Sequence, residues 1–382
     1  MSYPDQDPLP GLGPQPPRPR APRPVIAGLL VAAISAAAGA AIAHEAWSGG
    51  GSSPTPVSQP SGSAATTSVS AVARKVDPGI VDINTTLAGP LGGAAAGTGM
   101  VVTSSGEVLT NNHVISQAGR ITAYDVGNGR TYSARVVGYS TRKDVAVLQL
   151  LGASGLETVS FGDSNTVKVG QSVVTIGNAG GVGGTPSAAG GSVTALGRSI
   201  TAQDDSAQTY ERLTGLIELD GQLQPGDSGG PLVNSAGQVI GMDTAASSSF
   251  SFQSSGGQGF AIPVNTALAF ARQIVAGKGS DSVHVGATGL IGIDIEPQNN
   301  FGYGAPQGVY VGQVVTGGPA AAAGIVGGDT ITALGGHRVT SASSLVATKD
   351  LYHPGNRVSV TWVDINGASH TGTITLSTGA PD

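Results

Sequence analysis

The stretch Gln224-Pro225-Gly226-Asp227-Ser228-Gly229-Gly230-Pro231-Leu232-Val233 crowds three glycines and two prolines around one serine. Glycine admits backbone angles closed to other residues and proline fixes its own, so the stretch predicts a tight, unusual turn. Such a turn can hold the Ser228 hydroxyl out toward a substrate. It can also aim consecutive backbone N–H groups at one point, as an oxyanion hole requires. The bland alternative is a glycine-rich hairpin carrying an incidental serine.

A serine hydroxyl is a weak nucleophile at neutral pH and needs a base. Histidine, with an unperturbed pKa near ~6.5, is the natural one. His44 lies beside an apolar N-terminal segment, and His284, His337, His353 and His370 lie far downstream. His113 alone shares the β-rich region of the serine, in Thr110-Asn111-Asn112-His113-Val114 at a strand end. A lone histidine is more often structural; its company with the serine turn favours the base. That base needs a carboxylate to fix its tautomer. Asp125 sits beside a hairpin tip and Asp163 in the surface turn Phe161-Gly162-Asp163-Ser164, whereas Asp144 directly precedes an apolar strand and can reach inward. A surface ion pair with Lys143 or Arg142 is the alternative for Asp144.

These groups must be positioned by β structure. A length of 382 residues suggests two domains. Apolar residues at 39% suffice for cores, while 11% charged residues and 61 glycines suit short strands joined by tight turns. The net charge of −6 and the lack of a basic stripe argue against nucleic acid. With no cysteine there are no disulfides or thiolate ligands, and no pattern calls for a metal or cofactor. Val69, Val72 and Val76 recur at helical spacing until Asp77-Pro78-Gly79. Short β-type runs follow, with Asn128-Gly129 as a hairpin turn between residues 121–124 and 132–137. No long crossover helix intervenes, which predicts barrels or a sandwich. After the serine, residues 232–241 read strand, turn, strand, which excludes the strand–helix elbow of G-x-S-x-G type. One amphipathic helix closes the region, with Asn265 as its cap, Phe270, Ile274 and Val275 on one side, and Gly277 at its end.

Residues 1–24 are proline-rich, with Arg18, Arg20 and Arg23, and predict a solvated cytoplasmic tail. Residues 25–43 carry no charge over 19 positions; as a helix they span roughly 28 Å, close to the ~30 Å hydrocarbon layer. The arginines before them and Glu45 after them place the remainder outside the cytoplasm. The expectation is a single transmembrane helix in a bacterial cell membrane. Ala41-Ile42-Ala43 allows the other reading, a signal peptide cleaved near Ala43 and a secreted product. Residues 44–67 read as a flexible linker.

In the order His113, Asp144, Ser228 the chain resembles the chymotrypsin-like serine proteases. Its surrounding segments resemble the HtrA/Deg branch: Gly97-Thr98-Gly99-Met100-Val101-Val102, Thr110-Asn111-Asn112-His113-Val114, Asp144-Val145-Ala146-Val147-Leu148, Ile176-Gly177-Asn178, Val193-Thr194-Ala195-Leu196-Gly197-Arg198, Gly226–Asn234 around the serine, and Gly259-Phe260-Ala261-Ile262-Pro263. The resemblance implies a mainly β fold, a double six-stranded barrel over residues 68–278 with the catalytic groups in the cleft between barrels. It implies Ser228 as nucleophile, His113 as base and acid, Asp144 as orienter, and the N–H groups of Gly226 and Ser228 as oxyanion hole. It implies that Thr244, Ala245 and Ala246 line the specificity pocket. With Leu223 apolar and no acid at the base of that pocket, small aliphatic P1 residues are expected. Asp227 departs from the Asn of most HtrA relatives; digestive proteases pair an Asp there with a new N-terminus, and no activation site precedes this barrel.

Beyond the polar joint 278–285, Val358, Val360 and Trp362 alternate, Asn366-Gly367 turns, and Ile374 and Leu376 return. Gly308-Val309-Tyr310-Val311 reads as a strand, with short helices over 318–325 and 341–351. This α+β pattern over residues 284–380 resembles a PDZ domain. The resemblance implies Leu290, Ile291, Gly292 and Ile293 as the loop that captures a peptide carboxylate. The function implied is an envelope endopeptidase cleaving unfolded or misfolded proteins, recruited or regulated by peptide C-termini. A homotrimer is a further expectation from the resemblance. The alternative is a protease-like chaperone or adaptor acting through peptide binding.

Overall fold

The structure, a computed structural model, describes residues 68–88, 93–204, 209–221, 223–244, 250–252, 258–296 and 306–382. The tail, apolar segment and linker expected over 1–24, 25–43 and 44–67 lie outside these residues. Among the described residues no helix is long and apolar enough to cross a membrane.

Helix α1 (Val69–Val76) starts where the Ser68 hydroxyl accepts the Ala71 N–H, and it buries Val72, Ala73 and Val76 along one stripe. Asp77-Pro78-Gly79 ends it, since proline removes the next donor. The first barrel comprises β1 (Ile80–Leu87), β2 (Ala94–Val101), β3 (Glu107–Thr110), β4 (Ala118–Asp125), β5 (Arg130–Ser140) and β6 (Val145–Leu150), with the one-turn helix α2 (Asn112–Ile115) after β3. Neighbours run β5-β4-β1-β2-β3-β6, and β5 pairs back with β6 to close the circle.

The second barrel begins beyond β7 (Ser160–Phe161). It comprises β8 (Ser172–Gly177), β9 (Ser187–Asp204), β10 (Thr209–Leu219), β11 (Pro231–Val233), β12 (Gln238–Thr244) and β14 (Gly259–Pro263). The order β10-β14-β12-β11-β8-β9 closes through a β9–β10 pairing, while β7 and β13 (Phe250–Phe252) add at its margins.

Several of these strands read as unbroken apolar runs because both faces are buried. Val81, Val101, Val108, Ala146 and Leu148 point into the first barrel. Their alternates Ile80, Met100, Leu109, Val145 and Val147 pack with Val174, Ile176, Val239 and Met242 in a core shared between the barrels. Helix α3 (Val264–Val275) seals this shared core with Val264, Ala267, Ala271 and Ile274. Truncating the fully buried Ile274 to Ala removes about 2–5 kcal/mol. Two expectations for α3 are corrected. Its cap position is Pro263; Asn265 lies inside the first turn, where its Nδ2 donates to Asp163 Oδ1 at 2.6 Å. Val275 is exposed, one position off the buried stripe.

Strand β15 (His284–Val285) adds to the edge of β5, with His284 opposite Tyr139. The C-terminal domain then follows: β16 (Thr288–Leu290), β17 (Ile293–Ile295), β18 (Val309–Val314), α4 (Pro319–Ala322), β19 (Thr330–Leu334), β20 (His337–Arg338), α5 (Ala342–Lys349), β21 (Arg357–Val363), β22 (Ser369–Thr375) and β23 (Ser377–Gly379). Its main sheet runs β17-β18-β19-β21-β22 around a separate core that includes Val311, Ile331, Val360 and Trp362. Helix α5 opens with a reciprocal Ser341–Ser344 capping box.

Candidate active site

His113 is carried by α2, directly after β3. Asp144 ends the β5–β6 connection with φ of 52°, a left-handed conformation that Asp tolerates better than most residues. That turn sends its fully buried carboxylate toward His113. Asp144 Oδ1 accepts the His113 backbone N–H at 3.0 Å, and Oδ2 lies 2.9 Å from Nδ1. A carboxylate can only accept, so Nδ1 carries the proton and Nε2 is left as the basic nitrogen. The Asp144 carbonyl accepts Asn111 Nδ2 at 2.9 Å, and Oδ2 also accepts the Thr244 hydroxyl at 3.2 Å. Of the three candidate carboxylates, Asp144 is joined to His113. Asp125 is buried in its own hairpin, accepting the Asn128 N–H, and Asp163 caps a surface turn.

The turn around Ser228 packs against the loops that carry these groups. Ser228 is buried, and its carbonyl accepts the Thr98 N–H at 2.8 Å. Gly229 has φ of 84°, and a Cβ there would stand 2.2 Å from the Thr98 carbonyl oxygen and 2.3 Å from Thr110 Oγ1. Gly226 has φ of 102°, and a Cβ would stand 2.1 Å from the Asn178 carbonyl oxygen. Only glycine fits either position. The Pro225 carbonyl accepts the Gly180 N–H at 2.7 Å. Because the peptide unit is planar and trans, the Gly226 N–H therefore points away from Gly180.

Asp227 is fastened by neutral donors, the Gln224 N–H at 2.8 Å and the Ser187 hydroxyl at 3.4 Å. Burial pushes its carboxyl above the ordinary range. Behind it lies Asp243 on β12, fully buried, with no hydrogen-bond partner on either carboxyl oxygen among the described residues. Burial, with the Asp227 charge adding to it, drives the Asp243 carboxyl well above the ordinary carboxylate range. Asp243 directly precedes Thr244 on β12. It stands opposite Ala261, on the face away from Met242 and Thr244. Of the expected wall residues, Thr244 is buried with its hydroxyl on Asp144, while Ala245 and Ala246 lie outside the described residues.

Thr98 and Thr110, each only one letter of a longer motif in the sequence, are structural members of this site. Thr98 Oγ1 donates to the Gly226 carbonyl at 2.7 Å and accepts the Asn178 N–H at 2.9 Å. Thr110 Oγ1 donates to the Thr98 carbonyl at 2.7 Å. Their signal was a threonine beside each glycine or histidine motif, too common a residue to single out. In the C-terminal domain, Leu290 ends β16, Ile291 is buried, Gly292 turns with φ of 81°, and Ile293 opens β17. The four residues thus form a tight connection beside the N-terminus of α4, with the Ile291 carbonyl accepting the Ala320 N–H.

Comparison with known proteins bears on this arrangement. A trypsin-like peptidase domain model matches residues 97–242, and a PDZ domain model matches residues 289–366. The chain is 33% identical to the serine protease PepD of Mycobacterium tuberculosis over 97% of its own length and 80% of PepD. It belongs to the HtrA/Deg family of serine proteases. A second HtrA/Deg relative, the periplasmic pH-dependent serine endoprotease DegQ of Escherichia coli, is 34% identical over 69% of this chain. The chain spans 55% of DegQ, about half the length of such periplasmic relatives. Among solved structures, the HtrA-type protease AlgW with a tripeptide is similar at 28% identity, covering 82% of this chain and 98% of that chain with a TM-score of 0.46.

Proposed function

We propose that this HtrA/Deg protease cleaves unfolded or misfolded polypeptides outside the cytoplasm through Ser228, His113 and Asp144. The observation that carries the reading is the double grip of Asp144 on His113, backbone N–H and Nδ1 together, in a loop packed against the serine turn. In the first step Ser228 Oγ attacks a peptide carbonyl while His113 Nε2 takes its proton. The imidazolium so formed is stabilised by Asp144, which stays ionised. The N–H groups of Gly226 and Ser228 receive the oxyanion, and losing one such donor lowers turnover about 10²–10³-fold. His113 then protonates the leaving amine, and water repeats the sequence on the acyl-enzyme. Small aliphatic P1 residues fit the apolar Leu223. The loop of Leu290, Ile291, Gly292 and Ile293 captures a peptide C-terminal carboxylate, while a peptide strand adds to the domain's sheet. Residues 25–43 serve as the membrane anchor.

The test is fluorophosphonate labelling together with casein cleavage by the wild type and by Ser228→Ala. Labelling and cleavage are expected in the wild type alone. Labelling that persists in the variant would remove Ser228 from its role. Absence of both in each protein would favour a peptide-binding chaperone or adaptor.

A further inference from the structure

The last residues of the C-terminal domain return to the histidine loop of the first barrel. After β23, the Pro381 carbonyl accepts the Gln117 N–H at 2.7 Å, and the Asp382 backbone oxygen accepts Asn112 Nδ2 at 2.8 Å. Asn112 opens α2 and precedes His113; Gln117 follows the helix by two residues. The segment therefore grips the one-turn helix of the catalytic base at both ends. Its own position is fixed from the side. The Asp382 carboxylate forms an ion pair with Lys349 at the end of α5, both groups being largely buried. The Tyr139 hydroxyl lies 3.4 Å from that carboxylate, 3.0 Å from Asp350 Oδ1 and 3.1 Å from Thr288 Oγ1. Tyr139 stands on β5, five residues before Asp144. One polar network thus spans the two domains and reaches the His113 loop and the strand that leads into Asp144.

We propose that Asp382, anchored by Lys349 and Tyr139, is a positioning residue that holds the Asn112–Gln117 turn and through it aligns His113 with Asp144. This rests on the protease reading above and deepens it, because the PDZ domain then contributes directly to the catalytic geometry. A four-residue helix has no cooperative stability of its own, so its orientation depends on what it packs and bonds against. Alignment of a general base tolerates little displacement, and a misplacement of ~1 Å can lower the rate about 10²-fold. Any event that lifts the PDZ domain from the barrel breaks the Lys349–Asp382–Asn112 chain and relaxes His113.

The experiment uses the full chain and fluorophosphonate, a probe that reacts with the nucleophile without engaging a PDZ domain. Asp382→Ala and Lys349→Met should each slow labelling about tenfold, the loss expected from one charge-assisted bond. Lys349→Arg should restore most of the rate. For casein, kcat should fall with KM unchanged, and the downfield proton resonance of the His113–Asp144 bond should shift in the slow variants. If Asp382→Ala does not fold, Asn112→Ala, which spares the Lys349 anchor, carries the same expectations. Wild-type labelling rates and an unmoved resonance in the folded variants would overturn the inference. Failure of the protease reading is distinguished by the wild type itself, which would then not label at Ser228.

Discussion

The Thr98 hydroxyl donates to the Gly226 carbonyl across 2.7 Å, tying a strand of the first barrel to the serine turn built by the second. The same oxygen accepts the Asn178 N–H, so one buried hydroxyl uses both of its bonding roles. Thr98→Val keeps the shape and deletes both bonds, leaving two backbone groups unpaired in a buried place. The expected loss is about 1–3 kcal/mol per orphaned group. The serine turn should loosen, with kcat/KM on casein down at least tenfold and a lower Tm. Thr98→Ser should retain most of both, and equal loss in the two variants would contradict this role.

Asp144 accepts from His113 and from the Thr244 hydroxyl. Asp144→Asn presents an amide in place of one acceptor oxygen, which favours the wrong imidazole tautomer. By the chymotrypsin precedent kcat should fall about 10⁴-fold with little change in KM. Thr244→Val deletes one hydrogen bond to the carboxylate and should lower kcat only several-fold, in keeping with about 0.5–1.5 kcal/mol. Steady-state kinetics on a cleaved peptide separates the two.

Asp243 binds a proton in the folded protein that it releases in the unfolded chain above about pH 4. Folding therefore takes up a proton as pH rises above about 4. Its stabilising contribution is complete below about pH 4 and declines as pH rises, by about 1.4 kcal/mol per pH unit for one proton. Asp243→Asn cannot ionise, so the decline between pH 5 and pH 8 should become shallower and Tm at pH 8 should rise. Denaturant unfolding at four or five pH values checks this. An unaltered slope would place the proton elsewhere, on Asp227 for example.

Asp350 behaves in the same sense at the domain junction. Burial first, and then the Asp382 charge, push its carboxyl up to about 9. Its neighbours are Tyr139, Lys349, Asp382 and His284, whose ring Nδ1 lies 2.8 Å from the Asp350 carbonyl, with the tilted His353 ring 4.9 Å beyond. Since the unfolded value lies near ~3.9, the protonated carboxyl supports docking most fully in acid, and that support is lost as pH rises to about 9. Protease digestion between the domains should accelerate from pH 7 to pH 9. The acceleration should be absent in Asp350→Asn.

Much of the candidate site was legible along the chain because it sits in short, composition-biased stretches. Glycines at 226 and 229 signal backbone angles that no other residue adopts, and a histidine and an aspartate at strand ends beside them carry their own meaning. The strand pattern likewise exposed the barrels, since the run 145–148 is apolar on both faces only if both faces are covered. The cap of α3 was misread at Asn265 because an Asn in a first turn looks alike whether it caps its own helix or reaches across to Asp163.

Local preference and hydrophobic pattern are properties of neighbouring residues, and from them came much of the helix and strand order, the serine turn and His113 as the candidate base. Contacts between residues far apart in the chain depend on barrel closure and on where one domain comes to rest against another. Thr98 on the Gly226 carbonyl, the buried Asp243 beside Asp227, and Asp382 on the loop of His113 are all of this kind. Each joins groups at least sixteen positions apart whose meeting no local signal encodes, because it is fixed by the summed packing of the strands and cores between them.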